Sequence, residues 1–572
     1  MQKNKHALKN TVLLLIIFFC SCHRGSSSHD NISSDSIIVA SGEALFNQYC
    51  SGCHNIQQNG IGPKLAGITA AVSMTWLRHF IADPQEVISS GDERASQLFR
   101  KYKTVMPSFA TLKENDVDAL IAFLHVHRSP ADTEKDSNKG LTDPIPEPVV
   151  FGGLVVHLKE AAQFPVTSGN GKMPLARITK LDFEPESGSL FVDDLNGRLY
   201  KMKEGKPLLY MDMLKLKPRF ICQPGLATGL GSFAFHPGFA KNGLLYTTHT
   251  EPPRTVNAEF GFDDPIKATV QWVLTEWKAG DVSADHFAGN SRELLRIDMV
   301  SGIHGVQEIT FNPLAKPGDE DYGLLYIGVG DGGSVENGYP FLAQSKEKIW
   351  GPLLRIDPQG SNSANGKYGI PSHNPFAQQR QPRIPGEIYA FGFRNPHRIT
   401  WTKNGDMLVC NIGQHHIESV NLVRPGRDYG WPIRERRFVV DPHGDINHVY
   451  PLPEDDSIYK ITYPVAEFDH DEGVAISGGL EYWGDAVPLL KGKYLFGDIP
   501  SGRLYYINIA DIRQGKRVPI QEWRIALNGT GTTLVEACGS SRVDLHFGRD
   551  AQGELYILTK ADGKLYKLTD AL

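Results

Sequence analysis

The sequence predicts a mainly β fold: a six-bladed β-propeller preceded by a small all-α domain. Three observations carry that prediction. Glycine (57) and proline (36) make about a sixth of the 572 residues, which suits short strands and tight turns better than a helical bundle. From Val149 onward, short runs rich in β-branched and aromatic residues recur behind glycine-containing turns. Helical periodicity is instead confined to a stretch of about 90 residues near the N-terminus.

Composition narrows the function classes. Hydrophobic residues make up 41% and charged residues 22%, which excludes wholesale disorder and a polytopic membrane protein. Lys and Arg total 59 against 65 Asp and Glu, a net charge of −6, without the basic excess of a nucleic-acid binder. Seven cysteines are too few for a disulfide scaffold, so each is read in its context.

The N-terminus reads as an address. Lys3, Lys5, His6 and Lys9 precede the apolar run Val12–Cys20, which is too short to span a bilayer comfortably. Ser21-Cys22 resembles the cleavage site of bacterial lipoproteins, so residues 1–22 are expected to be a signal peptide and Cys22 a lipid anchor. An ordinary signal peptide cut between Ser21 and Ser28 is the alternative. Either way the chain is expected in the cell envelope or periplasm. Residues 23–39 are polar and serine-rich, a tether; residues 129–148 carry Pro and charge without apolar periodicity, a linker. They bracket a helical domain at 40–128 and precede the β domain at 149–572.

Cys50-Ser51-Gly52-Cys53-His54 has the C-x-x-C-H spacing of covalent haem c attachment. Two thiols a helical turn apart can each form a thioether to a haem vinyl, and the adjacent imidazole is held under the iron. Chance predicts only about 0.003 such matches in this composition. A zinc half-site lacks its second C-x-x-C, and a thioredoxin-like pair lacks its βαβ frame. Ser41–Tyr49 reads as an N-capped helix leading into the motif, and Thr111 with Glu114 as a capping box. Val117, Leu120, Ile121 and Leu124 recur at helical spacing, with His125 and His127 read as surface residues. Gly62-Pro63-Lys64-Leu65 is similar to the proximal G-P-x-L loop of class I cytochromes c. The same resemblance makes Met106, in Met106-Pro107, the second iron ligand with His54. Such ligation raises the potential and leaves the iron no open position, so the domain is expected to carry single electrons.

In the β domain, hairpins are expected at 187–202, 322–333, 404–413, 492–509 and 552–568. Hairpins alone leave a pair of β-sandwiches open beside the propeller. Gly328–Gly330 has no following helix and is no dinucleotide fingerprint. In a propeller the chemistry gathers from loops distant in sequence, here His304, Asp331, Arg394 and Asn395.

Several segments resemble the glucose/sorbosone dehydrogenase family: Gly229–Phe239, Ile388–Pro396 with its R-N-P, Asn411-Ile412-Gly413-Gln414, Tyr429-Gly430-Trp431-Pro432, and Gly497-Asp498 with Ser501-Gly502-Arg503. The resemblance implies a pyrroloquinoline quinone (PQQ) cofactor. His304, nine residues before Pro313, would be the base that takes the substrate hydroxyl proton. Asp331 would orient it, and Arg394 would stabilise negative charge on the quinone beside Asn395. Gly413 and Gln414 would bind calcium through their backbone carbonyls. The resemblance also shows departures. Ala227 replaces a cofactor-touching Gln or Glu, Pro500 stands near the expected lysine, and the paired C-terminal arginines reduce to Arg542, with Arg503 a substitute. Ring closure would bring Cys222 near Cys538, whose pairing stays open, and Cys410 reads as a buried thiol. The expected function is a PQQ-dependent sugar or alcohol dehydrogenase passing electrons to its own haem and then to a downstream redox acceptor. The alternative is a haem-tethered propeller that binds carbohydrate or protein without turnover.

Overall fold

The computed structural model describes residues 32–572 apart from 51–53, 57–61, 103–104, 129–139, 170, 224–225, 263–265 and 380–383. The signal segment with Cys22, and Cys53 of the haem motif, lie outside the described residues. No helix among those described is long and apolar enough to cross a membrane.

Between Ser36 and Val126 the described elements are helices: Ser36–Tyr49, Ile68–Ala71, Met74–Ala82, Pro84–Ser89, Glu93–Tyr102 and Glu114–Val126. The first starts earlier than expected because the Asp35 carboxylate accepts from the backbone N–H groups of Ile37 and Ile38. The Thr111–Glu114 capping box does not form; Lys113 takes the cap position and Glu114 begins the helix. The stripe Val117, Leu120, Ile121, Leu124 is buried as expected. First and last helices cross at Gly42, where any Cβ would overlap the Ala119 carbonyl. Phe46 and Phe123 pack there with ring centroids 5.2 Å apart. His125 and His127 are half-buried rather than exposed. The Thr69 hydroxyl lies 3.0 Å from His125 Nδ1, and the His127 carbonyl accepts from Gly67 N–H at 2.8 Å, tying the last helix to the 67–69 turn.

From Val150 the described elements are mainly strands. Three antiparallel four-stranded sheets follow one another. The first is Leu230–Phe235, Leu244–Glu251, Val270–Ala279 and Gly289–Met299; the second Glu308–Phe311, Leu325–Gly328, Leu353–Ile356 and Ile388–Ala390; the third Asn395–Trp401, Met407–Ile412, Ile417–Val423 and Ala466–Asp469. A longer sheet contains three further groups of four. Ile476–Glu481, Lys493–Asp498, Leu504–Asn508 and Gln521–Leu527 lead into Val150–Gln163, Lys564–Ala571, Leu555–Thr559 and Leu545–Arg549. Ile178–Phe183, Leu190–Asp194, Arg198–Lys203 and Lys206–Asp212 complete it. Val150–Gln163 is the seam: antiparallel to Lys564–Ala571, with Val156 opposite Ala571, and parallel to Gln521–Leu527. The first strand thus completes the group built by the last three.

Successive sheets bury each other's faces. Leu244–Glu251 reads LLYTTHTE yet is buried throughout, because Leu244 and Tyr246 enter one core and Leu245 the next. Of the expected hairpins, 187–202, 492–509 and 552–568 form; 322–333 and 404–413 each supply one strand. In the former, the turn after Leu325–Gly328 does not return as a strand but carries Asp331. The described part of the expected linker lies against the β domain. Leu141 N–H donates to the Val449 carbonyl at 2.8 Å and Ile145 N–H to Asp469 at 3.0 Å, and Val149, just beyond the linker, donates to Glu472 at 3.0 Å.

Candidate functional site

In the helical domain His54 follows the first helix, its N–H donating to the Cys50 carbonyl at 2.9 Å. Its Nδ1 lies 2.8 Å from the Pro63 carbonyl, which fixes the ring and leaves Nε2 as the ligating nitrogen. Gly62 packs flat on the imidazole, and any Cβ there would overlap the ring. Burial pushes the His54 imidazole below its ordinary pKa, although the Pro63 carbonyl opposes this, so the neutral form that binds metal is favoured. These are residues that fit haem c: a thiol one turn away, an oriented neutral imidazole, and a side-chain-free approach on one ring face. Met106 is half-buried in the loop after Glu93–Tyr102.

In the β domain, loops from three sheets converge on Asp331. His304 Nδ1 lies 2.9 Å from Asp331 Oδ1, and Gly333 N–H donates to the same oxygen at 2.9 Å. Trp431 Nε1–H donates to Oδ2 at 3.0 Å, a partner that sequence quoted within Y-G-W-P but gave no role. Asp331 N–H donates to the Arg394 carbonyl at 2.8 Å. Burial pushes the Asp331 carboxyl up, but the His304 hydrogen bond and the Arg394 charge more than offset it and hold the group below its ordinary value. An ionised Asp331 accepts Nδ1–H and leaves Nε2 as the acceptor nitrogen. His304 holds a left-handed backbone, φ +50°, a strain of about 1–2 kcal/mol for a residue with a side chain. Gly330 permits it, since a Cβ there would overlap the His304 carbonyl.

Arg394 is buried, and its guanidinium is shared three ways. Nε donates to Gln414 Oε1 at 2.7 Å, one terminal nitrogen to the Gly413 carbonyl, and the other to Glu336 Oε1 at 2.5 Å. Glu435 builds the receiving turn: its Oε1 accepts the N–H groups of Gln414, His415, His416 and Ile417 at 2.7–3.1 Å. Burial raises the Glu435 carboxyl, but His416 and these donors bring it down to about 2. Asn395 contributes its backbone N–H to Asn411 Oδ1 at 3.0 Å.

The two domains meet beside this cluster. Asn55, next to His54, donates its side-chain amide to the Glu336 carbonyl at 2.7 Å, and the Glu336 carboxylate is the one on Arg394. Arg542 reaches the carbonyl of Val105, next to Met106, at 3.4 Å. Lys172 pairs with Asp83 at 2.7 Å, and Ser541 donates to Gln85 at 2.8 Å. Both proposed iron-ligand loops therefore face the β domain.

Residues 175–567 match the model of the glucose/sorbosone dehydrogenase family, and residues 39–127 match that of cytochrome c. The chain belongs to the glucose/sorbosone dehydrogenase family. The human (Homo sapiens) Hedgehog-interacting protein is 26% identical over 373 residues, 63% of this chain and 46% of that protein. Quinoprotein glucose dehydrogenase B of Acinetobacter calcoaceticus is 25% identical over 219 residues, 36% of this chain and 40% of the relative. The chain spans about half the length of the HIPL1, HIPL2 and Hedgehog-interacting proteins it matches. A crystal structure of glucose dehydrogenase shares the fold at a TM-score of 0.50 and 20% identity, covering 72% of this chain and 99% of the other.

Within this glucose/sorbosone dehydrogenase fold, one expectation about ligands needs correction. The turn expected to hold calcium meets Arg394: the Gly413 backbone carbonyl and the Gln414 side-chain Oε1 accept from its guanidinium, which brings positive charge to that turn. Arg503 does not fit a cofactor carboxylate, because it is tied to Glu472 at 2.7 Å and Glu522 at 3.0 Å. The fit to PQQ rests on other atoms. Asn411 Nδ2, Gln414 Nε2, His397 Nδ1 and both ring nitrogens of His546 are buried without a hydrogen-bond partner among the described residues, polar capacity that a ligand can satisfy. The His397 and His546 rings are tilted to one another with centroids 5.5 Å apart, and His397 lies within electrostatic reach of His304. Sequence reasoning missed both, as well as Glu336. His397 alone had a local signal, standing two residues after Asn395. Cys222 and Cys538 are separate thiols, and Cys410 is buried, its thiol pushed up to about 12 by burial.

Proposed function

We propose that the chain is an exported oxidoreductase that oxidises a sugar or related alcohol in its β domain and delivers the electrons to haem c on Cys50, Cys53 and His54, with Met106 as the second ligand. The six four-strand groups are read as six blades of a closed ring whose loops gather at the His304 site. Cys22 is read as the lipid anchor in the periplasm, and a downstream redox acceptor takes the electrons away. The observation that carries the reading is the junction: His54's neighbour Asn55 bonds Glu336, Glu336 bonds Arg394, and Arg394 bonds the Asp331 that holds His304.

PQQ, when bound, supplies the two-electron acceptor, as the name of the Acinetobacter calcoaceticus quinoprotein suggests. His304 Nε2 takes the hydroxyl proton of the substrate. Asp331 fixes the tautomer through Nδ1 and stabilises the imidazolium that forms, while Trp431 and Gly333 keep the carboxylate from turning. Burial of the cluster excludes water and strengthens these interactions.

Purified holoprotein mixed with PQQ and a panel of aldoses tests this through the haem α-band. The expected result is substrate-dependent haem reduction, abolished in His304→Ala and slowed about 10²–10⁴-fold in Asp331→Asn. One observation favours a second reading, a binding module without turnover: each nitrogen of the Arg394 guanidinium is committed to a protein acceptor. An intact haem spectrum with no reduction by any sugar would support that reading and sink the first.

A further inference from the structure

The proposed site has a second buried cluster on its far side, where the two ends of the β domain meet. In the strand Leu545–Arg549, Leu545 and Phe547 enter the hydrophobic core, so His546 points to the opposite face. Lys560 lies alongside. Its N–H donates to the Asp544 carbonyl at 3.3 Å, and its own carbonyl accepts from Ala176 N–H at 3.4 Å, which brings Arg177 next to it. Arg542 pairs with Asp544 at 2.8 Å. Lys560, Arg542 and Arg177 thus gather around Asp544, with Asp194 a second carboxylate near Arg177, so the cations outnumber the anions by one. Lys560 is 9% exposed and His546 1%.

An excess of buried positive charge is costly without a counter-anion. The nearby Arg398 does not supply one, since its guanidinium is itself cationic and pairs with Glu308 at 3.3 Å. His546, both of whose ring nitrogens lack a hydrogen-bond partner among the described residues, adds polar capacity. Burial lowers the Lys560 ammonium to about 8, with Arg177, Arg542 and Arg398 adding to the effect and Asp544 opposing it.

We propose that Lys560, with Arg177, Arg542 and the His397–His546 pair, forms a carboxylate-binding subsite that holds one acidic end of the ligand whose other end reaches His304. This rests on reading the His304 cluster as a ligand site. The carboxylate can belong to a polycarboxylate cofactor or to an acidic sugar, and the two sources are separable.

The test is equilibrium binding to the full holoprotein without turnover, by fluorescence quenching with PQQ and by calorimetry with glucuronate. Wild type is expected to bind PQQ, with affinity reduced at least tenfold in Lys560→Met and Lys560→Gln and held within a few-fold in Lys560→Arg. A Lys560 dependence seen with glucuronate instead assigns the subsite to substrate. Equal affinities in wild type and the neutral variants for both probes, or no binding of either by wild type, overturns it. Haem absorption and circular dichroism confirm folding of each variant. Because no oxidation is measured, loss of the dehydrogenase reading and loss of the subsite are seen independently.

Discussion

A lone perturbation of Lys560 has a sign that the structure dictates. Burial brings its ammonium from an ordinary 10.5 to about 8. At pH 7 the lysine is charged in both native and unfolded states, so the native state bears the full cost of the buried charge. Each tenfold change is worth about 1.4 kcal/mol, which puts that cost at about 3 kcal/mol. Between pH 8 and 10.5 the native state binds fewer protons than the unfolded state, so this group's contribution makes stability climb as pH rises. Lys560→Met removes the charge while keeping an unbranched stem. The ligand-free variant is therefore expected to be more stable than wild type by about 3 kcal/mol at pH 7, and by about 1 kcal/mol at pH 10. Urea unfolding followed by tryptophan fluorescence, run on both proteins across that range, measures the gap. A variant less stable than wild type at pH 7, or a gap that does not move with pH, would refute the claim that Lys560 is a strained buried cation. Saturating carboxylate ligand should reverse the order at pH 7, because it stabilises only the protein that keeps the ammonium.

Two further outcomes follow from close contacts. Gly62→Ala puts a Cβ into the His54 ring, an overpacking cost of about 1–3 kcal/mol, and is expected to weaken or shift the haem α-band in protein that still folds. Because Arg394 already engages Gly413 and Gln414, EDTA is expected to leave the melting temperature of the β domain unchanged. A fall of several degrees that calcium restores would return the ion to that turn.

Local motifs made much of this readable. C-x-x-C-H, the Gly62-Pro63 loop and the helical stripe 117–124 each act through neighbours a few residues away, so spacing alone places them. R-N-P marked Arg394 as a site residue, whereas Y-G-W-P contained Trp431 without marking it as a partner of Asp331. What spacing could not give is the partner of each charge. Arg394 reads as an arginine for the cofactor until Glu336, 58 residues earlier and without any motif, is found on its guanidinium. Arg503 reads as a substitute cation until Glu472 and Glu522 are found on it. The early start of the first helix was missed because Asp35 lies in a serine-rich run that looks like tether.

Charge bookkeeping then connects the junction to the far side of the site. Glu336 holds Arg394 where the haem domain docks, so that guanidinium is already neutralised by protein, and any further anion at the site needs its counter-charge elsewhere. Pro500, where the family resemblance leads one to expect a lysine, cannot provide it. Its carbonyl, however, accepts from Val543 N–H at 2.8 Å, and the next residue, Asp544, accepts from Lys560. Lys560, one strand over, is therefore joined through the backbone to the segment that pairs with Pro500, and its ammonium acts on Asp544 there. That placement exists only because Ile178–Phe183, from the start of the β domain, joins Leu545–Arg549, from its end, with Leu181 beside Gly548. No window of sequence contains both Arg177 and Lys560. If the strands were unzipped at that seam, carboxylate affinity should disappear while the His304–Asp331 pair, built within one stretch of chain, stayed intact.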